Sequence, residues 1–362
     1  MKRRILVESI FPAPYRNGVI KLIGRTYDII TFYERAYDDN RNPNWFEKSD
    51  IFYVLNNKKS INKYKNILKA LNDFDLTLIY DYTTLTSMKL MLKCIIHKVP
   101  YIINCDGAHI TPNFVKDTIK RFFIKRARAY FASGITARNY FLRYGADEKS
   151  IYHHNFSTLY REDILASALN KEEKSQIKKE LNLYCEKLVI AVGRFIPLKR
   201  YDVLIKAWKG MNTDYKLAII GGGDERGSYE KLIMENNISN IELIDYKPKG
   251  ELLKYYKAAD LFVHPSSTDV WGLVINEAMA YGLPVITTDK CVAGLELIKD
   301  SENGFIIPVG NETVLAQKID LILSNDDLRD NMARNNLEKI RPYTIENMAN
   351  SQIGVIKKVL NE

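Results

Sequence analysis

Two series of short apolar runs, each alternating with longer amphipathic segments, constrain the fold of this chain most strongly. In the first half the runs predict strands at Ile5–Glu8, Asp28–Tyr33, Ile51–Leu55, Leu76–Tyr80, Tyr101–Asn104 and Tyr130–Ala132. In the second half they predict strands at Leu188–Val192, Lys216–Ile220, Ile241–Ile244, Leu261–His264 and Val285–Thr287. Strands that alternate with helices are typical of parallel sheets. The pattern therefore predicts an α/β protein with two doubly wound domains.

The length of 362 residues also favours two domains, because a typical domain has about 150 residues. A polar, charge-rich segment, REDILASALNKEEKSQIKKELNL, separates the two series of runs. We expect an N-terminal domain at 1–160 and a linker with the C-terminal domain at 161–345. Apolar residues at helical spacing in 346–362 predict a closing helix that packs back on the N-terminal domain.

The composition, with 46% hydrophobic and 27% charged residues, is that of a globular enzyme. The four cysteines form no CxxC pair, so a disulfide framework or a structural zinc site is not expected. Glu8 and Pro12 interrupt the apolar run at the N-terminus, which is interpreted as a buried strand rather than a signal peptide. No apolar stretch reaches about 18 residues. We therefore expect no membrane span and a cytoplasmic location.

Charge is divided unevenly between the halves. The net charge is +9, but residues 1–160 carry 26 basic and 14 acidic residues, a net +12, which leaves −3 for the remainder. The basic half predicts an anionic partner, which could be nucleic acid, an acidic lipid headgroup or a diphosphate-bearing acceptor; a solvated basic surface is the alternative. Within it, Phe114–Phe131 mixes basic and aromatic residues. This segment could be a half-buried helix with a basic face or a patch that docks on a membrane.

Two cations follow the first strand of the second series. Gly193, Arg194 and Lys199 connect that strand to the segment YDVLIKAWKG, which is predicted to be helical. Ligands bind at the carboxyl edge of open α/β sheets, where this connection lies. Arg194 can donate to two phosphate oxygens and Lys199 adds a mobile charge, which suits a diphosphate. A pair of surface cations is the simpler reading when the pair is taken alone.

A second constellation lies in HPSSTDVWGLVINEAMAYGLPVITTD. Asp269 and Glu277 flank Gly272, and Leu273 and Val274 open a predicted helix whose free N–H groups can bind phosphate oxygens. Glu277 falls in the first turns, where a carboxylate can accept hydrogen bonds from ribose hydroxyls. The two constellations together predict a nucleotide-diphosphate site.

The motifs GRFIPLK, IIGGGDE, YKAADLFVHPS and DVWGLVINEAMAYGLPVI resemble, in this order, the C-terminal domain of the family 4 retaining glycosyltransferases of the GT-B fold. The resemblance covers roughly residues 186–310. FPAPYRNGVIKLIG and YGADEKSIYHHNF resemble the N-terminal domain more loosely. The resemblance implies two Rossmann-like domains facing a cleft, with a nucleotide-sugar donor held by the C-terminal one. It also implies a retaining mechanism that is independent of metal, and no Asp-x-Asp motif follows a predicted strand.

The resemblance implies roles for individual residues. Arg194 and Lys199 match the residues that hold the donor diphosphate, and Glu277 matches the glutamate that binds ribose. Asp269 stands where the family usually has glutamate, so its contact with the donor sugar is expected to be rearranged. Gly272, Leu273 and Val274 match the backbone that approaches the phosphate and the sugar.

Other positions are weaker candidates. The glycine turn GGGD lacks the third glycine of a dinucleotide fingerprint, and Lys247 is expected near the base. Gly18 is expected in the loop after the first strand, either close to the phosphate or in a simple turn. Asp106 occupies the strand end where the family often has a histidine that contacts the donor sugar, and His109 follows three residues later. His153 and His154 are expected to be structural.

These observations predict a retaining glycosyltransferase that moves a sugar from a nucleotide-diphosphate sugar to a hydroxyl of a glycan or lipid-diphosphate-linked acceptor, in the synthesis of a surface polysaccharide or glycoconjugate. A UDP-sugar is favoured over a GDP-sugar, and no further cofactor, metal or nucleic acid is expected. A soluble small-molecule or protein acceptor is the alternative.

A nicotinamide-dependent oxidoreductase would need GxGxxG after the first strand, which FPAPYRNG does not provide. A nucleic-acid-binding protein would leave Arg194, Lys199 and Glu277 without a role. The basic half also favours a peripheral position on the inner face of the membrane.

Overall fold

The computed structural model of the chain describes residues 2–38, 46, 52–107 and 113–362. The chain divides into two compact units. The N-terminal unit comprises Met1–Thr158 and Tyr343–Glu362, and the C-terminal unit comprises Leu159–Pro342. The divisions lie within three residues of the expected boundaries at 160 and 345.

The N-terminal unit contains a parallel sheet with helices on its faces. Its strands are β1 (Arg4–Ser9), β2 (Asp28–Tyr33), β3 (Phe52–Val54), β4 (Leu76–Ile79), β5 (Tyr101–Cys105), β6 (Ala129–Ala132) and β7 (Ile151–His153), and they are arranged in the order β3-β2-β1-β4-β5-β6-β7. The helices that alternate with them are α1 (Pro14–Ile23), α2 (Lys58–Lys69), α3 (Leu85–His97), α4 (Phe114–Ile124) and α5 (Ile135–Arg143).

The C-terminal unit repeats this plan. Its strands are β8 (Lys187–Val192), β9 (Tyr215–Ile220), β10 (Ile241–Ile244), β11 (Leu261–His264), β12 (Val285–Thr288) and β13 (Gly304–Ile307), in the order β10-β9-β8-β11-β12-β13. Its helices are α6 (Lys171–Glu180), α7 (Tyr201–Ala207), α8 (Arg226–Glu235), α9 (Lys249–Ala258), α10 (Leu273–Ala280), α11 (Val292–Leu297), α12 (Glu312–Ser324) and α13 (Asp326–Ile340). Most of its strands are buried on both faces, which explains why they read as continuous apolar runs.

The prediction of two doubly wound α/β domains is confirmed. Every predicted apolar run contains a strand, although Ile51, at the start of the third run, lies outside the described residues. Two strands, β7 and β13, were not predicted. Both occupy the far edge of their sheets.

Helix α14 (Ile345–Leu360) belongs to the N-terminal unit and packs against α1. The buried side chain of Gln352 accepts a hydrogen bond from Tyr80 Oη at 2.7 Å and donates one to His154 Nδ1 at 3.1 Å. Burial lowers the pKa of His154 to about 3, so its imidazole is neutral. His154 thus has the structural environment that was expected of it.

The polar segment between the two series of strands contains α6, which packs against α9 of the C-terminal unit. Lys178 Nζ donates to Asp260 Oδ2 at 2.7 Å, and the same oxygen accepts from the Leu188 N–H at 2.8 Å. This buried ion pair joins α6 to the start of β8, so residues 171–180 are part of the folded unit rather than a free linker.

The order of strands reverses at one point in each sheet. It does so between β1 and β4 in the N-terminal unit and between β8 and β11 in the C-terminal unit. Ligands of doubly wound sheets bind outside the carboxyl ends of the strands at this switch point. The side chains that follow these four strands are therefore the first place to look for a site.

Candidate functional site

The loop that carries Arg194 leaves the carboxyl end of β8. A Cβ added to Gly221, at the end of the neighbouring strand β9, would lie 1.9 Å from the carbonyl oxygen of Gly193. The Phe195 N–H donates to the Gly222 carbonyl oxygen at 2.8 Å. The glycine turn therefore supports the backbone on both sides of Arg194, whose side chain is exposed. This packing role of the turn was not predicted from the sequence.

Lys199 ends a short 3-10 helix, Pro197–Lys199, and its side chain is directed to Asp269. Its Nζ donates to Asp269 Oδ2 at 2.5 Å, with the two side chains 16% and 20% exposed. The structure thus brings together two predicted site residues that are 70 positions apart in sequence. Because both side chains still reach solvent, a bound anion can replace the carboxylate as the partner of Lys199.

The carboxylate of Asp269 has a second partner, His264, which is the last residue of β11. His264 Nε2 lies 3.0 Å from Asp269 Oδ2, and the His264 side chain is buried. Burial lowers the pKa of His264, so its imidazole is neutral and Nε2–H donates to the carboxylate. Burial raises the pKa of Asp269, but the hydrogen bond from His264 and the charge of Lys199 outweigh it and hold the pKa well below its usual range. Sequence reasoning missed His264 because it lies inside the apolar run LFVH.

Helix α10 begins beside the cluster of Lys199, Asp269 and His264. Gly272 precedes it with a φ of +100°, and a Cβ there would lie 2.8 Å from Cys291 Sγ and 3.7 Å from Asp269 Oδ2. A residue with a side chain would therefore not fit at this position. Leu273 and Val274 form the start of the helix, where backbone N–H groups have no acceptor within the helix. These N–H groups and the positive end of the helix dipole suit a phosphate.

Glu277 lies in α10 and is half-buried. Tyr256 Oη, from α9, donates to Glu277 Oε2 at 2.8 Å. Burial raises the pKa of Glu277 to about 7, although the hydrogen bond from Tyr256 opposes the shift. Near neutral pH the group is thus balanced between carboxyl and carboxylate. Hydroxyl donors from a ligand would stabilise the carboxylate.

Lys247 lies in the loop between β10 and α9, where its Nζ is 3.5 Å from Glu251 Oε2. Strand β10 is an edge strand and β9 separates it from β8. Among the described residues, no hydrogen bond or ion pair joins Lys247 to Lys199 or Asp269. The structure therefore shows no polar contact that links Lys247 to the Lys199–Asp269 pair.

In the N-terminal unit, Asp106 follows β5 and belongs to a polar network. Arg16 Nη2 donates to Asp106 Oδ2 at 2.7 Å, Tyr15 Oη to the same oxygen at 3.2 Å, and Asn104 Nδ2 to Asp106 Oδ1 at 2.6 Å. Burial raises the pKa of Asp106, and the charge of Arg16 opposes this shift. Sequence reasoning identified Asp106 but missed Arg16, which lies 90 positions away.

The expectation that Gly18 lies in a loop is wrong. Gly18 is buried inside α1, which begins at Pro14 because proline suits the first position of a helix. Its N–H is therefore inside the helix rather than exposed beside a ligand. His109 lies outside the described residues.

Within the described residues, no helix has the length and apolar character needed to cross a bilayer. Groups of three or more His, Cys, Asp or Glu side chains that could hold a metal ion are also absent from the part of the chain that the structure describes.

Comparison with known families places the C-terminal unit. Residues 172–339 match the family described as Glycosyl transferases group 1. The matched range contains Arg194, Lys199, Asp269 and Glu277, the predicted donor-site residues of the C-terminal unit. This part of the chain is therefore similar in sequence to group 1 glycosyl transferase domains.

Individual curated proteins are also similar to this chain. The chain is 30% identical, over 46% of each sequence, to the N-acetylgalactosamine-N,N'-diacetylbacillosaminyl-diphospho-undecaprenol 4-alpha-N-acetylgalactosaminyltransferase of Campylobacter jejuni. The matches to the first curated relatives span only about half the length of those proteins.

Solved structures match the whole chain. A glycosyltransferase from Rickettsia africae superposes with a TM-score of 0.80 at 17% identity, covering 100% of this chain and 99% of the other. HepE from Anabaena, crystallised with UDP and glucose, superposes with a TM-score of 0.74 at 15% identity, covering 99% and 100%. The fold is therefore that of the GT-B glycosyltransferases, as predicted.

Proposed function

We propose that this protein is a retaining glycosyltransferase that takes a sugar from a nucleotide-diphosphate sugar and adds it to a hydroxyl of a glycan or lipid-linked acceptor. One observation carries the proposal. At the switch point of the C-terminal sheet, the Arg194 loop, the Lys199–Asp269 pair and the start of α10 surround the carboxyl ends of β8 and β11. Cations, free N–H groups and a nearby carboxylate are the groups that a nucleotide diphosphate requires.

The donor is placed by matching its groups to these side chains. Arg194, Lys199 and the N-terminus of α10 take the diphosphate, since all three present N–H donors with positive charge. Glu277 accepts from the ribose hydroxyls, and Lys247 remains a candidate for contact with the base. We favour a UDP-sugar over a GDP-sugar; HepE, which shares the fold, binds UDP.

Transfer needs a leaving group that can accept negative charge. As the acceptor hydroxyl forms its bond to the anomeric carbon, the bond to the diphosphate breaks and the hydroxyl proton leaves with the diphosphate. Arg194, Lys199 and the start of α10 stabilise the charge that develops there. Because these groups supply positive charge themselves, we propose that transfer requires no metal ion.

Asp269 is proposed to contact the donor sugar. Its shorter side chain makes this contact differ from the one that a glutamate at this position would make. Its Oδ2 already has His264 and Lys199 as partners, and the neutral His264 fixes its orientation. When Lys199 pairs with the diphosphate instead, the Asp269 carboxylate keeps its hydrogen bond from His264 and can accept another from a sugar hydroxyl. His264 is thus a positioning residue for Asp269.

The donor class is tested by thermal shift with UDP-, GDP- and ADP-sugars. A ligand that binds the native state stabilises it and so raises the melting temperature. The stabilisation is about 2.7 kcal/mol when the ligand concentration is 100 times the Kd. We expect a UDP-sugar to give the largest shift, and Glu277→Ala to reduce it. Glu338→Ala, which removes an exposed glutamate from α13, should leave the shift unchanged. The absence of any shift with all three nucleotides would contradict the proposal.

We further propose that the acceptor is reached at an anionic membrane surface through the neighbouring helices α3 and α4. These helices pack together and expose the apolar side chains Leu85, Leu92, Ile96, Phe114, Val115, Ile119 and Phe122. They also expose the cations Lys89, Lys93, Lys116 and Arg121. We call this surface the α3–α4 face. Apolar side chains among cations are typical of helices that lie in the bilayer interface.

The α3–α4 face is wider than the basic segment considered in the sequence, because α3 contributes to it. Lys120 contributes less, since it is half-buried and its Nζ lies 5.2 Å from the rings of Tyr140 and Tyr144. A lipid-linked acceptor also appears in the name of the Campylobacter jejuni relative. A surface of this composition therefore fits an acceptor held at a bilayer.

Vesicle sedimentation tests the α3–α4 face. At low salt the protein should sediment with vesicles containing phosphatidylglycerol but not with pure phosphatidylcholine, and physiological salt should weaken the binding because the Debye length falls to about 8 Å. Changing Lys89, Lys93, Lys116 and Arg121 to serine should release it. A control with Lys206, Lys209, Lys231 and Lys299 changed to serine has the same net charge and should still sediment. Equal release of both variants, or no binding of the parent, would overturn the proposal and favour a soluble acceptor.

A further inference from the structure

A tyrosine of the neighbouring helix contacts the carboxylate of Glu277, and it has not yet been given a role. Tyr256, in α9, donates from its hydroxyl to Glu277 Oε2 at 2.8 Å. Among the described residues, no other group donates a hydrogen bond to this carboxylate. Because the proposed partner of Glu277 is the ribose, a residue that fixes the Glu277 side chain also affects how the nucleotide is held.

The ring of Tyr256 is held by its own contacts. It is fully buried and stacks on the Tyr281 ring, with the two centroids 5.7 Å apart and the two planes at 9°. The centroid of the Phe262 ring lies 6.0 Å away. Burial raises the pKa of Tyr256 well above its usual range, so the hydroxyl keeps its proton. The hydroxyl is therefore a donor in a fixed place beside α10.

Several ionisable groups face the Glu277 carboxyl. Tyr256 and Lys249 are in α9, Tyr281 follows α10, and Asp163 lies before α6. Burial raises the pKa of Glu277 to about 7, and the hydrogen bond from Tyr256 is the largest effect in the opposite direction. Lys249 lowers this pKa and Asp163 raises it, and the two pair with each other, with Nζ 2.9 Å from Oδ1. Tyr256 is therefore the main group that favours the ionised form of Glu277.

The ionised form of Glu277 suits a ribose best. A carboxylate accepts hydrogen bonds through both oxygens, whereas a protonated carboxyl carries a donor on one of them. Glu277 Oε1 accepts no hydrogen bond from a described residue, so it can accept from a ribose hydroxyl. A side chain that is already held through Oε2 loses less conformational freedom when the ligand binds.

We propose that Tyr256 is a positioning residue for the nucleotide, whose hydroxyl holds Glu277 through Oε2 and keeps the carboxylate ready to accept from the ribose. The inference rests on the proposed function, in which Glu277 binds the ribose of a nucleotide-diphosphate sugar. Tyr256 acts through Glu277 and does not itself touch the ligand.

Tyr256→Phe tests the role, since it removes the hydroxyl and keeps the ring that contacts Tyr281 and Phe262. The variant should therefore fold, which thermal unfolding checks. Calorimetric titration at about pH 6.5 should show UDP binding about three- to tenfold weaker than in the parent, because a hydrogen bond that positions a charged group is lost.

Tyr255→Phe is the matched control. Tyr255 is the preceding residue of α9 and is also buried, but its hydroxyl makes no hydrogen bond with a described residue. This variant should bind UDP as the parent does.

The pH dependence of binding separates positioning from a merely structural role. Without the hydroxyl of Tyr256, Glu277 has a higher pKa and is less ionised near neutral pH. At about pH 8.5 a larger share of the carboxyl is ionised in both proteins, so the deficit of Tyr256→Phe should be smaller than at about pH 6.5. The titration of UDP itself cancels, because the two proteins are compared at the same pH. A structural defect would weaken binding equally at both values.

Carbon-13 NMR of the glutamate carboxyl groups measures the ionisation directly, with the Glu277 signal assigned by its absence from Glu277→Gln. The pKa of Glu277 should be higher in Tyr256→Phe than in the parent and in Tyr255→Phe. A double-mutant cycle then tests whether Tyr256 acts through Glu277. In a protein that already carries Glu277→Ala, Tyr256→Phe should not weaken UDP binding further.

UDP binding by Tyr256→Phe equal to that of the parent at both pH values would overturn the positioning role and leave the proposed function intact. The same conclusion follows if Tyr256→Phe weakens binding as much in the Glu277→Ala background as in the parent, since Tyr256 would then act by another route. A parent protein that binds neither UDP, GDP nor ADP would overturn the proposed function instead.

Discussion

Replacing Gly221 by alanine should damage the donor site through the backbone alone. The new Cβ would lie 1.9 Å from the Gly193 carbonyl oxygen, whereas a carbon and an oxygen in close contact are normally about 3.3–3.6 Å apart. The obstacle is backbone rather than a flexible side chain. Either the end of β9 or the Gly193–Arg194 loop must therefore move by more than about 1 Å.

Two free-energy costs set the destabilisation expected for Gly221→Ala. Overpacking of this kind costs about 1–3 kcal/mol, and a side chain at the φ of +157° that Gly221 adopts adds about 1–3 kcal/mol. For a unit of this size, each kcal/mol lowers the melting temperature by about 2–4 °C, so we expect a fall of about 5–20 °C. If the Arg194 loop moves, the loss of its charged hydrogen bonds should weaken UDP binding about 10- to 100-fold.

Gly222→Ala is the matched control. Gly222 is exposed, its φ is not positive, and a Cβ there would have no atom within 4 Å. Thermal unfolding and calorimetric titration with UDP should therefore give nearly parental values for Gly222→Ala and reduced values for Gly221→Ala. If Gly221→Ala unfolds and binds UDP as the parent does, the glycine turn does not support the Arg194 loop.

Three further predictions concern the charged groups of the donor site. Burial raises the pKa of Glu277 from 4.5 to about 7, so the folded state binds this proton more tightly than the unfolded state does. The free energy of unfolding therefore falls as the pH rises from 4.5 to about 7. Glu277→Gln should therefore gain stability relative to the parent between pH 5 and pH 8, by at most about 3 kcal/mol, and urea unfolding at both values with no such gain would contradict the assignment. Lys199→Ala should lower kcat more than it raises KM if the charge acts mainly on the departing diphosphate; an unchanged kcat with a raised KM would show that it acts in binding alone. Asp269→Glu introduces the acid that the sequence resemblance implies at this position and should stay active or change donor preference. A folded but wholly inactive variant would mean that the pairing with His264 and Lys199 requires the shorter side chain.

The fold could be predicted because parallel strands buried on both faces leave a strong local signal. Each central strand is a run of apolar residues that can be read without knowing its neighbours. The edge strands β7 and β13 leave a weaker signal, and Gly18 was misplaced because glycine was read as a loop residue although Pro14 had already started the helix. The Gly18 error arises from local competition between turn and helix, which the sequence pattern does not resolve.

The site was predicted only where its residues share a short segment or a family motif. Arg194, Lys199, Asp269 and Glu277 were identified as candidates in this way, and the structure pairs Lys199 with Asp269. Arg16 contacts Asp81 and Asp106 across 65 and 90 positions, and no periodicity in sequence marks such a pair. The partners of Asp269 and the packing of the glycine turn are equally non-local, so they required the structure.

Calorimetric titration of UDP, without a sugar, tests the central claim that the C-terminal unit holds a nucleotide diphosphate. Glu277 is the most informative position, because its proposed partner is the ribose and its change should weaken binding even when no sugar is attached. The parent and the control Glu338→Ala should bind UDP with the same affinity, and Glu277→Ala should bind about tenfold or more weakly, in line with the loss of hydrogen bonds to a charged group. Equal affinity in all three proteins would remove the ribose role of Glu277, and no binding by the parent to UDP, GDP or ADP would contradict the nucleotide site itself.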